Sequence, residues 1–187
     1  MEHYYHNLEG FFAFPHLYQE MVQRFNNNSK FVEVGSWKGQ SAAFLAVEII
    51  NSSKNIELYC VDTWKGNNEE GHKNDPDVVD NTLYERFLSN VQPLNSVIKP
   101  IRLPSIEAAL TFEDNSVDFV FIDASHEYED VKADLNAWYP KIKSSGVFAG
   151  HDYRWPPVMQ AVDEFCASKK LTIEEQEHSW VVRNILS

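Results

Sequence analysis

The stretch FVEVGSWKGQS, residues Phe31 to Ser41, runs an alternating apolar strand into a turn with Gly35 and Gly39, and then into the helical pattern QSAAFLAVEII. A strand that ends in a glycine turn and re-emerges as a helix opens a strand-helix-strand unit. The turn of such a unit faces a ligand at the carboxyl end of the strand.

Working outward, the same alternation of periods fills the chain. Upstream, Pro15 to Phe25 places Leu17, Met21, Val22 and Phe25 on one helical face and stops at the turn-rich NNNS. Downstream, strand IELYCVD is followed by a polar stretch, KGNNEEGHKNDPD, then by helix TLYERFLSNV and strand VIKPIRL. The second half gives strand VDFVFID, then helix YEDVKADLNAWYPKIK with Val131, Leu135, Trp138 and Ile142 at helical spacing, then strand GVFAGHD. Helix PVMQAVDEFCASKK leads to two strands, LTIEEQ and SWVVRNI, whose link is so short that only an antiparallel hairpin fits. Alternating strands and helices build a parallel sheet with right-handed crossovers, so the expected fold is one doubly wound α/β domain over residues 1–187. The polar segment 65–80 reads as a long loop inside it, of a length that is functional or mobile.

A chain of 187 residues, 43% hydrophobic and 13% aromatic, can bury a sizeable core, which excludes a disordered chain or a disulfide-stapled scaffold. Its net charge of -12 opposes broad attraction to phosphate, so the expected partner is a small molecule rather than nucleic acid or a membrane surface, with a homo-oligomer left open. No apolar run approaches the roughly 20 residues that span a bilayer. The start MEHYYHNLEG lacks the pattern of a secretory signal, which makes the cytoplasm the expected compartment. Cys60 and Cys166, inside a strand and a helix, read as buried apolar residues without chemistry.

The glycine turn lacks the third glycine of the G-x-G-x-x-G pyrophosphate cradle, which disfavours a nicotinamide dinucleotide. Two glycines still allow close approach of a ligand, and Glu33 sets a carboxylate beside them, suited to a cofactor carrying an ammonium. Asp62, at the end of the next strand, is placed to accept hydrogen bonds from ribose hydroxyls. Together they suggest a nucleoside ligand without phosphates.

The blocks VEVGSWKGQSA, CVDTW, FIDASHEYEDVKADLNAWYPKIKSSGVFAGHDY and VMQAVDEF resemble class I S-adenosylmethionine-dependent methyltransferases over about residues 30 to 170, with Phe121 to Tyr153 the most specific part. The likeness is closest to the small bacterial group that resembles catechol O-methyltransferase and the macrolide-sugar O-methyltransferases. It implies a Rossmann-like seven-stranded sheet of order 3-2-1-4-5-7-6 with the seventh strand antiparallel. It also implies that Glu33, Gly35, Ser36 and Gly39 line the methionine moiety, that Asp62 binds the ribose, and that Thr63 or Trp64 borders the adenine. Ser105 falls where that family contacts the adenine, and Asp123 would lie beside the sulfonium.

Asp123 and His126 follow the fourth strand and His151 and Asp152 the fifth, so all four converge on one rim of the sheet. Methyl transfer needs an aligned nucleophile and, for an alcohol, removal of its proton, a task for a histidine titrating near neutrality. Two carboxylates on adjacent strand ends could also hold a divalent cation such as magnesium or manganese. The metal-dependent relatives carry D-x-x-H after the fourth strand, which implies Asp123 as ligand and His126 as base, with His151 and Asp152 completing a metal set. His151 departs from that pattern, which has Glu there; imidazole suits manganese, iron or zinc better than magnesium. The expected activity is methylation of a small-molecule hydroxyl. The alternatives are a metal-dependent oxygenase built on His126, His151 and one carboxylate, and a non-catalytic S-adenosylmethionine-binding domain.

Overall fold

Phe31 and Val32 are both buried, on opposite faces of one strand. That alternation recurs through a sheet covered on both sides. The computed structural model of the chain describes residues 1–67, 70–183 and 185, without the Glu70 side chain. Its strands are β1 (Ser29–Val34), β2 (Ile56–Asp62), β3 (Ile98–Arg102), β4 (Val117–Ile122), β5 (Ile142–Gly150), β6 (Glu174–Gln176) and β7 (Ser179–Arg183). They form one sheet of order β3-β2-β1-β4-β5-β7-β6. Pairing is parallel from β3 through β5, whereas β7 runs antiparallel to β5 and β6. This is the expected Rossmann-like order with its antiparallel seventh strand.

The helices are α1 (Pro15–Arg24), α2 (Gln40–Ser52), α3 (Glu70–Lys73), α4 (Pro76–Val79), α5 (Leu83–Val91), α6 (Ser105–Ala109), α7 (Tyr128–Trp138) and α8 (Pro156–Lys169). On one face, Leu17 and Met21 of α1, Leu45 of α2 and Phe87 of α5 pack with Phe31, Phe119 and Phe121. On the other, Ala108 of α6, Leu135 and Trp138 of α7 and Val162 of α8 pack with Val32, Val120 and Phe148. Every residue of β4 is buried, as its central position requires. Each large apolar side chain so enclosed contributes roughly 1.5–3 kcal/mol. Among the described residues no helix is long and apolar enough to cross a membrane.

The parallel ladder continues one residue past three strands and holds their ends level. Gly35 N–H donates to Val61 O (2.8 Å), Asp123 N–H to Val34 O (2.8 Å) and His151 N–H to Ile122 O (3.0 Å). The three loops that carry the candidate chemistry therefore leave the sheet at one height.

Two expectations change. Ile142, read as helical, opens β5, because α7 ends at Trp138 and Pro140 sits in a 3-10 turn, Tyr139–Lys141. The early start of β5 is absorbed by a register shift between Val117 and Phe119. There a Cβ at Gly146 would meet Asp118 O at 2.9 Å. Segment 65–80 is not plain loop, since it contains α3 and α4; its Asn68 and Glu69, like Asn184 of the last expected strand, lie outside the described residues. The N-terminus is tied down: His3 stacks on Phe44 of α2 with centroids 4.6 Å apart, and Tyr4 donates to Asn90 O.

Candidate active site

The turn after β1 is shaped by three constraints. Gly35 has φ 89°, and a Cβ there would lie 2.0 Å from Asp123 O, so a side chain is excluded both by conformation and by the neighbouring loop. Asp62 then ties the turn to β2: its Oδ2 accepts from the amides of Ser36 (3.0 Å) and Trp37 (2.9 Å), and its Oδ1 from Trp64 N–H (2.7 Å). Burial raises the Asp62 pKa against those three amides. Gly39, at φ 86°, caps α2 and faces Val91 and Phe87.

Two clefts open on this rim. The first, about 640 Å³ with its mouth, is lined by Asp62 and Thr63 of the β2 end, Gly66 and Asn67 beyond it, Leu103 and Ser105 after β3, and the Asp123 loop. The second, about 1300 Å³ with its mouth, lies between the N-terminal segment Gly10–Ala13, the first turn of α2 and the ends of β4 and β5. Gly35, Trp37, His72, Asp123 and Ala124 line both clefts, so they meet along one wall.

The rim of β4 and β5 is built from charged side chains instead. Asp152 Oδ2 lies 2.8 Å from His126 Nε2 and 3.1 Å from His151 Nδ1, and Asp123 Oδ1 is 3.7 Å from His151 Nδ1. Burial pushes the Asp123 carboxyl up to about 7, with Asp152 adding to the rise and the two imidazoles opposing it. Burial acts on Asp152 in the same direction, but its hydrogen bonds to His126 and His151 hold it well below the usual carboxylate range. Burial works against a charged His151, yet Asp152 and Asp123 outweigh it and raise its pKa. Asp152 also has φ 53°, a strained left-handed backbone at a non-glycine position.

Asp123, His126 and Asp152 offer ligand atoms within 4.8 Å of one another, a set that fits a divalent cation. His151, expected in the metal set, is not part of that group, and its Nε2 is buried with no hydrogen-bond partner among the described residues.

Of the residues expected at the cofactor, Gly35, Asp62, Thr63, Ser105 and Asp123 line the first cleft, and Ser36 lines the second. Three do not line either. Trp64 is 1% exposed, packs on Phe87 and donates its indole N–H to Trp37 O, so it belongs to the core rather than the adenine border. Glu33 is 1% exposed and accepts from the hydroxyls of Tyr18 (2.8 Å) and Ser36 (2.7 Å), one layer beneath the ligand space; burial raises its pKa. Gly39 acts through the helix cap described above. All four residues of the second rim, Asp123, His126, His151 and Asp152, line the second cleft.

Sequence reasoning missed His72 and Lys38. The His72 ring stacks on Trp37 with centroids 4.2 Å apart and lines both clefts. Lys38, 3% exposed, gathers Glu9 (2.5 Å), Asp75 (2.7 Å) and Asp77 (3.3 Å), tying the N-terminal segment and α4 to the glycine turn. Burial opposes its charge, but those carboxylates hold its pKa up to about 12. Its place inside a glycine turn was the available signal, since a lysine there must find partners.

The geometry agrees with comparisons to known proteins. A family model described as a methyltransferase domain matches residues 32–153. A protein of Sinorhizobium fredii, y4gI, is 30% identical over 66% of this chain, which spans 13% of that protein; one of Acanthamoeba polyphaga mimivirus is 29% identical over 81% of this chain and 66% of its own length. Among solved structures, the O-methyltransferase NovP aligns with TM-score 0.73 at 17% identity over 92% of this chain and 79% of its own. The TDP-rhamnose 3'-O-methyltransferase CalS11 aligns with TM-score 0.64 at 14% identity, over 90% of this chain and 76% of its own. A candidate caffeoyl-CoA O-methyltransferase from Staphylococcus aureus aligns with TM-score 0.60 at 13% identity, over 90% and 82%. With the family model covering residues 32–153, the chain belongs to the S-adenosylmethionine-dependent methyltransferase domain family.

Proposed function

We propose that this protein moves the methyl group of S-adenosylmethionine to a hydroxyl of a small molecule. The observation that carries the reading is the shared wall of the two clefts: Gly35 and Asp123 face a nucleoside-sized space on one side and the charged rim on the other. When bound, S-adenosylmethionine supplies an electrophilic methyl on its sulfonium. Asp62 retains acceptor capacity for the ribose beyond its three amides, while Thr63 and Ser105 border the base. The first turn of α2, whose Gln40 and Ser41 line the second cleft, offers helix N-terminal amides to the methionine carboxylate. His126 takes the proton of the acceptor hydroxyl, and the Asp152 carboxylate stabilises the imidazolium that forms. In a metal-loaded form, Asp123, His126 and Asp152 would instead hold a divalent ion that would acidify and orient that hydroxyl, in place of His126 acting as the base. The one imidazole in that donor set favours manganese or iron over magnesium. Hydroxyl specificity is supported by the O-methyltransferases among the structural neighbours, NovP and CalS11. The cytoplasm remains the proposed compartment and a homo-oligomer an open assembly.

An oxygenase reading uses the same histidines and carboxylates but gives no purpose to the Asp62-bound glycine turn. A non-catalytic binding domain gives none to the four paired groups of the second rim. The test is methyl transfer from isotopically labelled S-adenosylmethionine to a panel of hydroxyl compounds, with and without manganese. Formation of S-adenosylhomocysteine coupled to a labelled ether is expected. Cofactor binding with no transfer under any condition, in a protein whose His126→Ala variant behaves identically, would leave the binding domain as the answer.

A further inference from the structure

Resting on the methyltransferase reading, we infer that the acceptor is an alcohol that is uncharged or carries an amine, and that hydroxyl compounds bearing phosphate or another strong anion are rejected. The charges that face the second cleft carry the argument. Its floor holds the carboxylates of Asp123 and Asp152, and its outer wall is the apolar run Phe11, Phe12 and Ala13. Among the described residues no Lys or Arg lines either cleft. The nearest buried cation, Lys38, is already matched by Glu9, Asp75 and Asp77, so it presents no surplus positive charge. Arg154, on the turn after Asp152, is paired with Glu175.

A phosphate entering this space would sit beside carboxylates with no Lys or Arg to receive it, the imidazoles of His126 and His151 being already turned to Asp152, inside a protein of net charge -12. Recognition of phosphate uses Arg forks, Lys or helix amides. The N-terminus of α2, whose Gln40 and Ser41 line this cleft, is the place assigned to the methionine carboxylate. An amine or a neutral hydroxyl meets the opposite situation. Carboxylates and imidazoles accept its hydrogen bonds, and the aromatic side chains of Phe11 (80% exposed), Phe12 and Trp37 line the cleft with apolar and cation-accepting surface. The same charge balance suits S-adenosylmethionine, which carries no phosphate and is net positive.

The experiment loads the full protein with S-adenosylhomocysteine and titrates it by calorimetry with inorganic phosphate and with thymidine diphosphate, in chelator and again with manganese. The wild type is expected to show no saturable binding below about 10 mM, while Phe11→Arg, which adds a cation at an exposed lining position, gains binding at least ~10-fold tighter. In transfer assays, a sugar or amino sugar is expected to outpace its phosphorylated counterpart by about 100-fold or more in kcat/KM. Binding of either anion to the wild type at about 100 µM or tighter, or faster methylation of the phosphorylated member of a pair, overturns the inference while leaving the cofactor reading intact. Failure of S-adenosylhomocysteine to bind at all refutes the cofactor reading, and the inference falls with it.

Discussion

The turn after β1 and the rim after β4 and β5 lie along one edge of the sheet but are held by different forces. In the turn, the cleft wall is backbone, shaped by a glycine no side chain can replace and fixed by a carboxylate that takes three amides. At the rim, the cleft-facing groups are titratable side chains paired mainly with one another, Asp152 between two imidazoles and Asp123 behind. The first is a steric object and the second an electrostatic one. Binding should therefore fail through shape at the turn, and chemistry should fail through charge at the rim.

The largest effect is expected from Gly35→Ala, whose Cβ would lie 2.0 Å from the Asp123 carbonyl. Because that atom belongs to the other rim, the substitution should abolish cofactor binding and sharply lower the yield of folded protein, read by calorimetry and circular dichroism. Gly39→Ala sharpens the contrast: its Cβ meets only the side chains of Val91 and Phe87, at 2.9 Å and beyond, so a cost of about 1–3 kcal/mol in stability with binding retained is expected. Equal damage from both would break the steric account of the turn.

Next comes His126→Ala, which should lower turnover by about two to four orders of magnitude while S-adenosylhomocysteine affinity stays within about twofold. His151→Ala is its counterpart on the neighbouring strand. A normal rate in the first and loss of activity in the second would move the base to β5.

A smaller effect is expected from Lys38→Met, which keeps the stem and removes the charge that joins Glu9, Asp75 and Asp77. Gly10 to Ala13 and the His72 segment both line the second cleft, so releasing them should raise the acceptor KM about tenfold with kcat nearly kept. Amide exchange should quicken in residues 1–13 and 70–80 and not in the sheet. Unchanged exchange there would show that the two covers are held by something other than this cluster.

The same division explains what the sequence made legible. Strand periodicity, the glycine spacing and the order Asp62, Asp123, His126, Asp152 are local patterns, and they led to the sheet and both rims; the resemblance supplied the strand order. Side-chain direction was not local information. Trp64 follows Asp62 by two residues yet turns into the core against Phe87, and Glu33 is covered by Tyr18 from α1. Lys38 finds its three partners 29 to 39 positions away in either direction, and His3 packs on a helix that begins at Gln40, contacts that no periodicity encodes. The 3-10 turn at Pro140 shortened α7 because a proline outweighed an otherwise continuous apolar stripe.

The central claim is that the cleft between the glycine turn and Asp62 holds a phosphate-free nucleoside cofactor. Its most direct test is a calorimetric titration of the protein with S-adenosylmethionine, run beside NAD. Saturable one-to-one binding of S-adenosylmethionine with no heat from NAD is the predicted result. Binding of NAD in that cleft, or no binding of S-adenosylmethionine by folded protein, would contradict it.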